Sequence, residues 1–161
     1  MVAFGLGTGA RRAEIVGLTY GQLDLERGLV NLDRQAQLGG TAPPKGRARV
    51  VPIAATLRDA LLAWKKQAAG PVTPEAPVFG ILTWRFDLAF AAAVEAAGIG
   101  HTTIHDLRRS FASRLASVAG SGSVRVALGH GSLSTTDRYV RTVPSALRDA
   151  VEAVERAYRA G

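Results

Sequence analysis

Apolar residues fall at helical spacing in five stretches of this chain, alternate with polar ones in one short stretch and run together in another. The first helix is predicted from about 10 to 18, with Thr8 as its cap and Ile15 and Leu18 facing a core. Leu29-Val30-Asn31-Leu32-Asp33 alternates with the period of a half-buried strand. Val50-Val51-Pro52-Ile53 reads as a second strand, ended by its proline. Gly39-Gly40 and Pro43-Pro44 mark turns between them. These stretches predict a small antiparallel sheet of two or three strands, with Lys45 at a turn or strand start.

Helices dominate the rest. Thr56 is expected to cap an amphipathic helix to about Gln67, whose apolar side carries Leu57, Leu61, Leu62 and Trp64. A Pro-rich loop from Gly70 to Pro77 joins it to a helix from about 83 to 97. There Phe86, Phe90 and Val94 are core, and Gly98 and Gly100 end the element. The helix from about 103 to 116 places Leu107, Phe111 and Leu115 on its core face. A loop at Ala119-Gly120-Ser121-Gly122 and a short helix from Val124 to Leu128 follow. Ser134 is expected to cap another short helix that carries Tyr139. A last helix from about 145 to 158 shows Leu147, Val151, Val154 and Tyr158 on one stripe. The fold class is α+β, mainly α. Met1 to Leu6 reads as the last turns of an apolar helix, which suggests that the chain is part of something longer.

Composition narrows the partners. The 161 residues suffice for one domain, and a hydrophobic fraction of 47% favours a folded core. No Cys is present, which removes disulfides, thiolate metal sites and Cys nucleophiles. Lys and Arg number 20 against 13 acidic residues, a net charge of +7. Such a surface suits polyanions, nucleic acid first. No apolar run is long enough for a membrane span, and the first residues lack the pattern of a secretory signal, so a cytoplasmic protein is expected.

Six side chains carry candidate chemistry: Arg11, Lys45, His105, Arg108, His130 and Tyr139. Guanidinium forks hold phosphate oxygens in pairs, and two of them would neutralise the charge that builds in a pentavalent phosphoryl transition state. A phenol has a pKa of about 10, so a nearby imidazole or cation would help it attack. A Lys can protonate the leaving oxygen. No metal is required by this set, and no His/carboxylate spacing typical of a metal site occurs. Each residue also has a plainer reading. Lys45 alone would be a solvated loop residue, and His105 beside Arg108 a surface pair. Arg11 with Glu14 would be an ordinary surface ion pair, and a lone Tyr a partly buried one.

The stretches Thr8-Gly9-Ala10-Arg11-Arg12-Ala13-Glu14-Ile15, Pro44-Lys45 ahead of Arg49-Val50-Val51-Pro52, His105-Asp106-Leu107-Arg108, Leu128-Gly129-His130 and Thr135-Thr136-Asp137-Arg138-Tyr139 occur in that order. Together they resemble the tyrosine recombinases, or phage-type integrases. The resemblance implies the catalytic-domain fold of that family with a small antiparallel sheet after the first helix. It implies that residues 1–161 form a C-terminal catalytic domain, lacking the start of that domain and the separate DNA-clamping domain. It also assigns roles. Arg11 and Arg108 would clamp the scissile phosphate, Lys45 would act as general acid, and His105 as general acid/base. His130 would hydrogen-bond the phosphate, Tyr139 would form a 3′-phosphotyrosyl link, and Glu14 would orient Arg11. Neither a cofactor nor a metal is implied. The implied partners are double-stranded DNA and further copies of the chain, as a tetramer on DNA joined through the helix at 145–158. The sequence departs from the family pattern at Ala13, at Arg109 where a His is frequent, and in a shorter segment between Gly120 and His130. Two other readings share these residues: a type IB topoisomerase, and a catalytically idle DNA-binding remnant.

Overall fold

The computed structural model describes residues 1–37, 40–45, 47–68, 70–129 and 145–160, with side chains to 158. The Gly39 half of the expected turn, His130, the Ser134 cap and Tyr139 lie outside the described residues.

A short helix, α1 (Val2–Thr8), opens the chain and buries Phe4. It ends at Gly9, whose φ of 63° and ψ of 21° lie in the left-handed region that favours glycine. Thr8 does not cap the next helix, contrary to expectation. Its hydroxyl turns back to donate to Phe4 O at 2.6 Å and accepts from the Ala10 amide at 3.3 Å. Helix α2 (Arg12–Val16) takes Arg11 as its N-cap instead, and Glu14 Oε2 accepts the Arg11 amide at 2.7 Å. Local sequence favours a Thr cap, but Thr8 is already committed to closing α1.

The sheet follows. Strands β1 (Leu23–Asp24), β2 (Leu29–Leu32) and β5 (Arg49–Pro52) form an antiparallel sheet in the order β1-β2-β5. Strands β3 (Gln35–Gln37) and β4 (Gly40–Ala42) form a separate antiparallel pair. Val30, Leu32 and Val51 are wholly buried, as strand alternation predicts. Pro52 is tolerated because β5 is an edge strand.

Helix α3 (Ala55–Lys66) starts two residues earlier than expected, with Ala54 as its N-cap. Thr56 is not the cap. The Ala55 amide donates to Glu152 Oε1 at 2.8 Å, a carboxylate brought from the last helix. The apolar stripe is narrower than read: Leu57 and Leu61 are buried, while Leu62 and Trp64 are exposed. Helix α4 (Thr83–Ala97) keeps its predicted bounds, buries Phe86 and Phe90, and ends at a left-handed Gly98.

Helix α5 (Ile104–Leu128) joins two predicted helices into one element broken at Gly120, whose φ of 73° and ψ of 172° are not helical. The predicted loop is thus a kink. Helix α6 (Ser145–Ala160) lies against α5, with further contacts to α1 and β5. Leu147, Ala150, Val151 and Val154 are buried there, so the stripe read as a surface for a neighbour is covered by its own chain. Among the described residues no helix is long and apolar enough to cross a membrane.

Candidate active site

A reciprocal cap aims the first turn of α5. Thr103 Oγ1 accepts from the Asp106 amide at 3.3 Å, while Asp106 Oδ2 accepts from the Thr103 amide at 2.9 Å and hydroxyl at 2.5 Å. These bonds to Thr103, with smaller help from Arg109, hold the Asp106 carboxyl below its usual range. His105 and Arg108, three residues apart, therefore leave the helix on one side. They fare differently: His105 is exposed, and Arg108 is buried with 5% of its surface accessible. The expected surface pair is half right.

Arg108 crosses to the other end of the site. Its Nη1 donates to Gly9 O at 2.5 Å and its Nη2 to Leu128 O at 2.9 Å. The left-handed turn at Gly9 presents that carbonyl. A Cβ at Gly9 would stand 2.6 Å from Phe111 Cδ1 and 2.7 Å from Leu128 Cδ2, so only glycine fits. Burial, then the charges of Arg49 and Arg11, pushes the Arg108 guanidinium down to about 10, with Glu14 opposing them. It remains a cation at neutral pH.

Glu14 is the centre of this charge cluster. It is wholly buried, which overturns the surface ion-pair reading. Arg49 Nη1 and Nη2 donate to its two oxygens, each at 2.8 Å, in a fork-to-fork pair. Arg11 Nη1 donates to Oε1 at 3.2 Å. Burial alone would raise this carboxyl, but the hydrogen bonds and charge of Arg49, with those of Arg11, outweigh it and hold it below its ordinary value. Three guanidiniums, those of Arg11, Arg49 and Arg108, thus surround one carboxylate. The cluster carries a surplus of positive charge.

That surplus opens on a groove of about 470 Å³. Arg11, Arg12, His105 and Arg108 line it, with Ala10, Phe90, Thr103 and Ile104. Asp87 of α4 closes one side and pairs with Arg12 at 2.8 Å. Of the six candidates, the structure brings Arg11, His105 and Arg108 together. Lys45 is exposed on the connection between β4 and β5 and does not line this groove. His130 and Tyr139 lie outside the described residues. Among the described residues, no three His, Asp or Glu side chains gather as a metal ion would need.

Sequence reasoning missed Arg49 and Arg12. Arg49 directly precedes the predicted strand at Val50-Val51-Pro52-Ile53, and sequence alone does not say which face it takes.

A model described as the phage integrase family matches residues 1–145. Tyrosine recombinase XerC of Methylobacterium sp. (strain 4-46) is 34% identical over 160 residues, covering 89% of this chain and 49% of that protein. Tyrosine recombinase XerD of Neisseria meningitidis is 32% identical over 163 residues, covering 90% of this chain and 50% of that protein. The chain thus spans about half the length of the relatives it matches. Among solved structures, the Tn1549 transposon integrase in complex with a circular intermediate DNA superposes with a TM-score of 0.67 at 23% identity, over 97% of this chain and 57% of that one. The crystal structure of XerA recombinase gives a TM-score of 0.61 at 25% identity, over 90% and 53%. The mainly helical fold with its small antiparallel sheets is shared with these proteins, as the sequence implied. Matched by the family model from its first residue to the start of its last helix, the chain belongs to the phage integrase family.

Proposed function

We propose that this chain is the catalytic part of a tyrosine site-specific recombinase that cleaves and rejoins DNA strands. One observation supports this above the others. Arg11, His105 and Arg108 line one groove, and the buried Glu14–Arg49 pair backs it, a fixed cationic seat for a phosphodiester. In the proposed reaction the Tyr139 phenol oxygen attacks the scissile phosphorus, and His105 takes the phenol proton. The bond to the 5′ oxygen breaks as Lys45 supplies a proton to it. Arg11 and Arg108, with His130, hold the non-bridging oxygens. The product is a 3′-phosphotyrosyl link and a free 5′ hydroxyl, and a 5′ hydroxyl from a partner strand reverses the step. Residues 1–161 act in this reading as a catalytic domain within a longer protein. The acting form is a tetramer on two duplexes. Because α6 is seated on its own chain, docking on a neighbour would exchange like for like.

The test is covalent capture on a nicked suicide duplex. The wild-type chain should form an adduct that survives denaturation, and Tyr139→Phe should form none. An adduct retained by Tyr139→Phe removes that residue from the reaction. Its absence in the wild type, under conditions where the chain binds DNA, removes strand cleavage by this chain.

A further inference from the structure

Arg49 is a charged residue at an inward position of a strand. The register pairs Val30 with Val51 and Leu32 with Arg49, so strand alternation turns Arg49 and Val51 to the same buried side. A guanidinium placed there must find partners. It finds them far away in sequence. Both oxygens of Glu14 lie at 2.8 Å, and Ala127 O accepts from Nε at 2.9 Å.

Each partner adjoins a residue with work in the proposed reaction. Glu14 also accepts the Arg11 amide and side chain. Ala127 sits in the last turn of α5, three residues before His130. Arg49 itself follows Lys45 by four residues. Strand and helix end are in direct contact: a Cβ at Gly129 would stand 3.2 Å from both Arg47 O and Arg49 Cδ. Gly129, with φ of 70°, is the left-handed C-cap that ends α5. Arg108 grips the next carbonyl, Leu128 O, so two cations hold the end of α5, where the helix dipole favours them.

We propose that Arg49 is a positioning residue. It clamps together the segments that carry Arg11, Lys45 and the last turn of α5, and so fixes the mutual register of these segments. A planar fork bound to two oxygens sets direction as well as distance, which a Lys point charge does not. Reaction rates answer to such register, since a displacement of about 1 Å costs on the order of 10²-fold. The inference rests on the strand-cleavage reading above. Its distinct content is that Arg49, which does not line the groove, governs the rate of cleavage and not the affinity for DNA.

The experiment compares wild type with Arg49→Lys in single-turnover adduct formation on the suicide duplex at saturating DNA. The rate should fall on the order of 10²-fold, while the Kd for the same duplex stays within about twofold. A loss that vanishes at saturating DNA, or an unchanged rate, overturns the proposal. Amide hydrogen exchange supplies the reading that needs no activity. Arg49→Met, or Arg49→Lys should the Met variant not fold, should speed exchange at the Arg11 and Gly129 amides together and leave the α4 amides unchanged. Faster exchange confined to β5, or uniform over the chain, overturns the clamp. A wild type that forms no adduct defeats the strand-cleavage reading by itself, and the exchange result then decides the clamp alone.

Discussion

The basic side chains assigned to the proposed reaction and its support fall into two groups, and folding treats them differently. Arg49 and Arg108 are buried, with their guanidiniums committed to Glu14, Gly9 O, Ala127 O and Leu128 O. Lys45 and His105 are exposed, one on a loop and one on the outer side of the first turn of α5. Arg11 stands between the groups, partly accessible yet tied to Glu14. The buried group has been desolvated and oriented by folding, before any ligand arrives. That is the condition under which fixed dipoles and charges stabilise a transition state without reorganising. The exposed group buries little surface in the fold. The two groups therefore separate by experiment: substitution of one acts on the fold and the reaction, and substitution of the other on the reaction alone.

The largest effect on folding belongs to the fork-to-fork pair. Arg49→Ala leaves the buried carboxylate to the Arg11 amide at 2.7 Å and the Arg11 side chain at 3.2 Å, and Glu14→Ala leaves three guanidiniums without their shared counter-charge. Removing one partner of a buried pair costs about 3–5 kcal/mol. Urea unfolding should show that loss for either variant. For the double variant it should fall well short of the sum of the two, because each single change leaves the other partner stranded. Additive losses would mean that the pair is not one unit and would dissolve the contrast between the groups.

The legible parts of this fold were those set by local pattern. Helix α4 kept both its predicted ends, because a run of periodic apolar residues stops at a left-handed Gly98. Strand β2 followed its alternation, and β5 its apolar run. Caps were read less well, because a cap can be supplied from elsewhere in the chain. Nothing near Ala55 announces that Glu152 will accept its amide. The site divided in the same way. Arg11, His105 and Arg108 were legible from their motifs, and the structure seats them on one groove. Arg49 lies in the stretch Arg49-Val50-Val51-Pro52, where nothing local marks it as buried. In sequence, an Arg before Val50-Val51 is equally a strand's outer face, and only the buried Glu14 decides between the two. The burial of Glu14 was hidden for the matching reason: Arg-x-x-Glu on a short helix looks the same whether or not a strand carrying Arg49 lies beneath it.

A smaller effect separates the groups by pH. The folded carboxyl of Glu14 is held below its ordinary value of 4.5 despite burial, because Arg49 and Arg11 favour the charged form. The unfolded chain then binds more protons than the folded one just below that value, so stability falls as pH falls. The contribution of Glu14 is complete above about 4.5 and is lost as pH drops through the folded pKa. Chemical unfolding between pH 3 and 7 should show wild type losing stability at the acid end. Glu14→Gln should lower stability at neutral pH and flatten this part of the profile. A Glu14→Gln profile parallel to wild type would assign the acid loss to other carboxylates.

The smallest effect on folding is expected at the rim, where the effect on the reaction stays large. Lys45 is exposed, and His105 is exposed on a turn whose cap, Thr103 with Asp106, does not use it. Lys45→Ala and His105→Gln should therefore each leave stability within about 0.5 kcal/mol of wild type. If they serve as the proton donor and acceptor of the proposed cleavage, each should also slow adduct formation by about 10²–10⁴-fold. Their signatures then differ from that of Arg49→Ala, which loses stability and rate together. One further substrate distinguishes the two rim residues from each other. A 5′-phosphorothiolate in place of the scissile 5′ oxygen gives a leaving group that needs no proton. It should restore the rate of Lys45→Ala and not that of His105→Gln, whose proposed part is to take the phenol proton. Restoration of both would place His105 on the leaving-group side. Restoration of neither would leave the general acid to be sought among residues other than Lys45.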